Sequence, residues 1–177
     1  MDPTSVRRTR HAVPLLAISA VALALAPSAA AQSAVDACSL LTRAEVQAVL
    51  AIPVVAAERA ARDYGGVCTY RGQSQGSGRA QFVRVLAYRF PSADDAEQQY
   101  NNQVNTNEES EATFVEKGLG DQAFSTVTTD ERGRRESVVA RHGRVALTIE
   151  VGAGDQLRPG DRGRALSLAR TVLRRLQ

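Results

Sequence analysis

The stretch Cys38-Ser39-Leu40-Leu41-Thr42-Arg43-Ala44-Glu45-Val46, read with Gly66-Val67-Cys68-Thr69-Tyr70, decides how the rest of the chain is understood. Thr42 and Glu45 have the spacing of a capping box, in which each side chain satisfies a free amide at the start of a helix. Leu41 and Val46 have the spacing of a hydrophobic staple. Val46, Val49 and Leu50 then share one helical face, and Pro53 ends the helix. Val67 to Arg71 reads as a strand with Cys68 and Tyr70 on one face. A cysteine thus stands beside a helix start and another inside a strand.

Residues 1–31 carry the marks of an export signal. Arg7, Arg8 and Arg10 form a basic start, an apolar run follows from Ala12 to Ala26, Pro27 breaks it, and Ala29-Ala30-Ala31 supplies small residues for cleavage. The run is short for a bilayer span, which takes roughly 20 residues. The competing reading is an uncleaved membrane anchor. Arg7-Arg8 also fits the twin-arginine route. Cys38 follows Val35-Asp36-Ala37, without the small-residue context of a lipid attachment site. The expected product is therefore one periplasmic or secreted domain, residues 32–177, with no stable membrane anchor after cleavage.

The 177-residue chain has a formal charge of +3. The leader holds three of its arginines and Asp2, so the remainder is close to neutral, and nucleic acid is not an expected partner. In an oxidising destination the only two cysteines most simply pair with each other. Closing the loop from 38 to 68 gives about 3–4 kcal/mol by chain entropy. Two unpaired buried thiols are the alternative.

Along the chain, residues 53–63 read either as a strand or as a helical turn and loop. Gly65-Gly66 marks a turn, and Gly72 to Gly78 a polar hairpin connection. Gly76-Ser77-Gly78 lacks the Gly-Lys-Ser/Thr ending of a phosphate loop. Ala80 to Phe90 is the longest strand, apolar on both faces and so central, with Phe82, Arg84, Leu86, Tyr88 and Phe90 on one side. Ser92 caps a second helix, with Asp94 and Asp95 at its positive end and Ala93, Ala96, Tyr100 and Val104 as its buried stripe. Asn105 to Glu116 is a polar, acidic stretch. Gly118-Leu119-Gly120-Asp121 is a sharp turn before a strand from Ala123 to Val127, and Thr128 to Arg135 a polar loop. Strands Ser137–Arg141 and Arg144–Val151 flank a two-residue turn at His142-Gly143. In the second of these, Val145, Leu147, Ile149 and Val151 alternate with polar residues. After a loop from Gly152 to Gly160, a helix from Asp161 to Leu176 has a broad apolar face opposite Arg164, Arg170, Arg174 and Arg175. The fold class is α+β: an antiparallel sheet of about five to six strands with three helices. Hairpin strands followed by a helix occur at 67–104 and again at 137–176, which reads either as two similar halves sharing one sheet or as the ordinary look of any α+β chain.

Chemistry is sparse. His142 is the lone histidine beyond the leader, which leaves no zinc cluster and no serine–histidine pair. Asp94 and Asp95 read as capping charge. Glu108, Glu109 and Glu111 lack the spacing of a calcium loop. No metal or other cofactor is expected. Arg84 is the odd residue, a charge among Phe82, Leu86 and Tyr88 that must pair or reach water. Glu150 is a conceivable partner. If that sheet face is uncovered, Arg84, Tyr88, Thr148 and Glu150 line a binding surface. The bland alternative is an edge arginine reaching solvent.

The segments quoted first, together with Gly118-Leu119-Gly120-Asp121-Gln122-Ala123-Phe124, resemble a loose group of exported proteins from high-GC bacteria. The group includes uncharacterised small lipoproteins and the extracellular sensor-like domains of some bacterial kinases. The resemblance implies a secreted α+β domain with a disulfide between first helix and sheet, and implies no catalytic residues. The expected function is a non-catalytic binding or interaction domain for a small molecule or an envelope protein. A secreted enzyme and a structural envelope protein are the alternatives.

Overall fold

The computed structural model describes residues 34–73, 81–106, 110, 112–130, 133–152 and 163–176. All belong to the second of two compact units, Gln32–Gln177. In chain order they form a 3-10 turn (Ala37–Ser39), α1 (Arg43–Leu50), β1 (Val54–Arg62), β2 (Gly65–Gly72), β3 (Phe82–Arg89), α2 (Ala93–Thr106), β4 (Ala112–Val115), β5 (Gln122–Asp130), β6 (Gly133–His142), β7 (Val145–Gly152) and α3 (Gly163–Leu176). The class is α+β with three helices. The strands make one seven-stranded sheet in the order β1-β2-β3-β7-β6-β5-β4, antiparallel throughout.

Seven strands correct the expected five to six. β1 settles the ambiguous 53–63 as extended: its alanines have little strand preference of their own, and the ladder to β2 decides. β4 lies in the stretch read only as polar and acidic, and its four residues pair with Val127 to Phe124.

Three turns also move. Gly65 and Gly66 lie inside β2, and the turn falls on Asp63 and Tyr64. The glycine serves close approach instead: a Cβ on Gly65 would lie 2.0 Å from the Ala87 carbonyl oxygen. His142 is the last residue of β6, opposite Val145, so the turn is Gly143-Arg144, with Gly143 at φ 53°. Residues 128–130 and 133–135 are paired strand rather than loop. Glu131-Arg132, Gly76-Ser77-Gly78, Glu108, Glu109, Glu111 and the expected loop around 153–160 lie outside the described residues.

One face of the sheet carries the main core. Cys68, Tyr70, Val83, Val85, Ala87, Val138, Ala140, Leu147, Ile149 and Val151 point there, as strand alternation requires. They meet Val46 and Leu50 of α1 and the apolar stripe of α3, whose Ala165, Leu168, Ala169 and Val172 are buried. The capping box on α1 is formed in both directions, and Leu41 and Val46 are buried. Cys38 and Cys68 are disulfide-bonded across 30 residues. The Tyr70 hydroxyl lies 2.6 Å from the Leu41 carbonyl and 3.1 Å from that of Cys38, and burial pushes its pKa up. Bond and hydroxyl together fix the 3-10 turn and the start of α1 to β2.

α2 lies on the opposite face. Tyr100 packs edge-on against Phe124 at 5.5 Å, and Ala96 is buried. Ser92 caps α2, its Oγ accepting from the Asp95 amide at 3.0 Å. Ala93 and Val104, read as the ends of the buried stripe, are exposed, because only the middle of the helix lies on the sheet. The hairpin-plus-helix order does recur, β2-β3-α2 and β6-β7-α3, but the two helices occupy opposite faces. The echo is one of order, not of placement.

Among the described residues no helix is long and apolar enough to cross a membrane.

Candidate functional site

β3 and β7 are neighbours at the middle of the sheet, and their register sets Arg84 opposite Glu150, Leu86 opposite Thr148, and Tyr88 opposite Ala146. Cross-strand partners share a face, here the face on which α2 sits. Arg84 Nη1 lies 3.1 Å from Glu150 Oε2, so the arginine is paired, as its apolar surroundings demand. Its guanidinium also stands 5.7 Å from the centre of the Phe82 ring.

Beneath α2 the sheet leaves a cavity of about 250 Å³. Leu86, Val139 and Ala146 supply its apolar part. Tyr88, Thr148 and Glu150 line it from the sheet, and Gln99, Tyr100 and Gln103 from the helix. Three of the four residues singled out in the sequence therefore meet in one space. Arg84 does not line it; its task is to hold the Glu150 carboxylate beside it.

The polar groups around this space are of mixed kind. Gln99 and Gln103 each carry an amide that can donate and accept, the Thr148 hydroxyl can do both, and an ionised Glu150 accepts only. Burial pushes the Tyr100 phenol above its ordinary value, so it remains a donor well past neutral pH.

The helix side of the site was not found in the sequence. Gln99 and Gln103 stand one turn apart, which places them on one face beside Tyr100. That spacing was the available signal, but glutamines beside an apolar stripe read as a solvated flank.

His142 belongs to a different group. Its Nδ1 lies 3.2 Å from Asp121 Oδ1, while Asp121 Oδ2 accepts from the Gly143 amide at 2.7 Å. The Gly143 amide, and then His142, hold the Asp121 carboxyl below its ordinary pKa. This arrangement ties the β4–β5 turn to the β6–β7 turn. Among the described residues, no three His, Cys, Asp or Glu side chains gather closely enough to hold a metal ion.

A central charged pair beside a helix-covered cavity defines a class of object: a disulfide-clamped α+β domain with a mixed polar and apolar cavity under a helix. No protein-family model matches the chain, and a search of curated proteins found no match to it.

Proposed function

We propose that this chain is an exported, non-catalytic binding domain whose ligand is a small molecule held between α2 and the sheet. One observation carries the reading: sheet residues Tyr88, Thr148 and Glu150 and helix residues Gln99 and Gln103 converge on one cavity of about 250 Å³. A cavity with apolar walls and a few convergent polar groups is the usual form of a small-molecule site.

Binding is favoured over catalysis by the chemistry of the lining. Its titratable groups, among the described residues, are Glu150, which Arg84 engages, and two tyrosines. A poised acid–base pair needs two such groups whose environments push them apart. The Cys38–Cys68 bond suits the oxidising periplasm or exterior, which agrees with the leader-like residues 1–31.

Native mass spectrometry on protein recovered from the periplasm tests this. The expected result is a co-purifying small molecule that is lost in Leu86→Trp, where the indole fills the cavity. A ligand retained unchanged in a folded Leu86→Trp variant would place the site elsewhere.

A further inference from the structure

A second cavity, of about 240 Å³, lies against α2 and shares Gln99 with the first. Tyr64, Phe90 and Pro91 wall one side, and Asp95, Gln98 and Asn102 the other. Gln99 lines both cavities. Ring centroids follow one another from Tyr64 to Phe90 at 5.9 Å and from Phe90 to Tyr88 at 6.1 Å. Aromatic surface thus runs from the second cavity into the first.

Tyr64 is the unusual member. It is 52% exposed and has φ 65°, a left-handed backbone that a bulky residue adopts only with strain. Glycine or asparagine would make the Asp63-Tyr64 turn more easily. The turn itself therefore does not call for an aromatic ring, whereas a ligand passing over it would.

We infer that this groove takes a neutral oligosaccharide, with one sugar ring in each cavity; the inference rests on the binding reading above and narrows its ligand class. A sugar ring offers an apolar C–H face and a rim of hydroxyls that both donate and accept. The aromatic row suits the face, and the amides of Gln98, Gln99 and Asn102 suit the rim, since each amide also donates and accepts. An anionic ligand fits poorly: the described linings present the carboxylates of Asp95 and Glu150 and no arginine or lysine. A wholly apolar ligand would bury the amide row without partners, which is costly.

The test uses the chain as recovered from the periplasm. Neutral and acidic oligosaccharides are screened on an array, and the best is titrated into ¹⁵N-labelled protein. Decanoate and tryptamine are titrated as non-sugar probes. A neutral oligosaccharide is expected to shift the amides of Tyr64, Tyr88, Phe90 and Gln99 together. Tyr64→Gly should weaken it roughly ten-fold, the order of one lost aromatic contact, while leaving the urea midpoint unchanged or higher. Gln99→Leu should weaken it as well. A best ligand that is acidic, or an affinity unchanged in Tyr64→Gly, overturns the inference. So does decanoate or tryptamine shifting these amides when no sugar does, although the binding reading then stands. If no probe shifts either cavity, and no molecule co-purifies, both readings fall.

Discussion

Arg175, near the end of α3, holds Glu45, in the first turn of α1, through two hydrogen bonds of 2.6 and 3.0 Å. The same guanidinium donates to the Leu40 carbonyl at 2.6 Å. Glu45 meanwhile accepts from the Thr42 amide at 2.8 Å, so one carboxylate completes a local cap and a contact 130 residues away. Two helices on the same sheet face are thereby joined at their ends.

The first expected outcome concerns acid. The bond from Arg175, and then the Thr42 amide, lower the Glu45 pKa from its ordinary 4.5 to about 2. A carboxyl depressed by folding contributes stability that is complete above its unfolded pKa and lost as pH falls through its folded one. Glu45→Gln should therefore lower the urea midpoint near neutral pH, and the gap from the parent should narrow between about pH 4.5 and pH 2. The effect is modest, because the two side chains are 38% and 32% exposed. Urea titrations at pH 7, 4 and 2.5 measure it.

The disulfide gives a larger change. Cys38→Ser with Cys68→Ser, or reduction under native conditions, should cost about 3–4 kcal/mol, since the bond closes a loop of 30 residues. Tyr70→Phe should cost a further ~1–3 kcal/mol, because it leaves the Leu41 carbonyl without its buried donor. The two effects should not add fully, as both hold the same 3-10 turn. A double-mutant cycle by urea denaturation reports the coupling.

Glu136 is buried on the core face, and its Oε2 accepts from the Ala165 amide in the first turn of α3 at 3.3 Å. A side-chain acceptor there satisfies one of the free amides of the first helical turn. Glu136→Ala should destabilise by about 1–3 kcal/mol, the usual order for leaving a buried amide without its acceptor. Glu136→Gln, which keeps the acceptor, should cost less. Loss of helical circular dichroism in Glu136→Ala ahead of the main transition would show that α3 is the element released.

The two glycines before Asp121 should respond differently. Both have left-handed φ, 71° at Gly118 and 68° at Gly120. A Cβ on Gly118 meets nothing within 4 Å, so Gly118→Ala carries only the backbone cost, about 1 kcal/mol. A Cβ on Gly120 would stand 2.4 Å from the Arg141 carbonyl oxygen, and Gly120→Ala should cost about 3 kcal/mol or more. Paired thermal denaturation of the two variants separates conformation from crowding.

What could be read in the sequence was set by neighbouring residues. Thr42 with Glu45, Leu41 with Val46, and the alternation from Val145 to Val151 each encode their structure within a few positions. The alanine-rich β1 and the four residues of β4 do not: pairing with β2 and β5 makes them strands. Gly65 misled because a turn and a close backbone approach both call for glycine. The same division runs through the candidate site. Arg84 betrayed itself as a charge on an apolar strand, and the strand period brought Tyr88, Thr148 and Glu150 with it. Gln99 and Gln103 belong to the site only because α2 crosses to the other face, which no local pattern announces. The task of Arg175 was hidden for the same reason, since its partner comes from the far end of the chain.

α2 buries Ala96 as its one fully enclosed side chain, while α3 buries six. The stability of a domain is uneven, and segments with few enclosed contacts open first. By this measure α2 should open before α3 and the disulfide-bound side do. Amide hydrogen exchange along α2 should accordingly outpace that of α3. The roof of the cavity beneath α2 would then be the first part of the domain to exchange with water, well before the domain as a whole loosens.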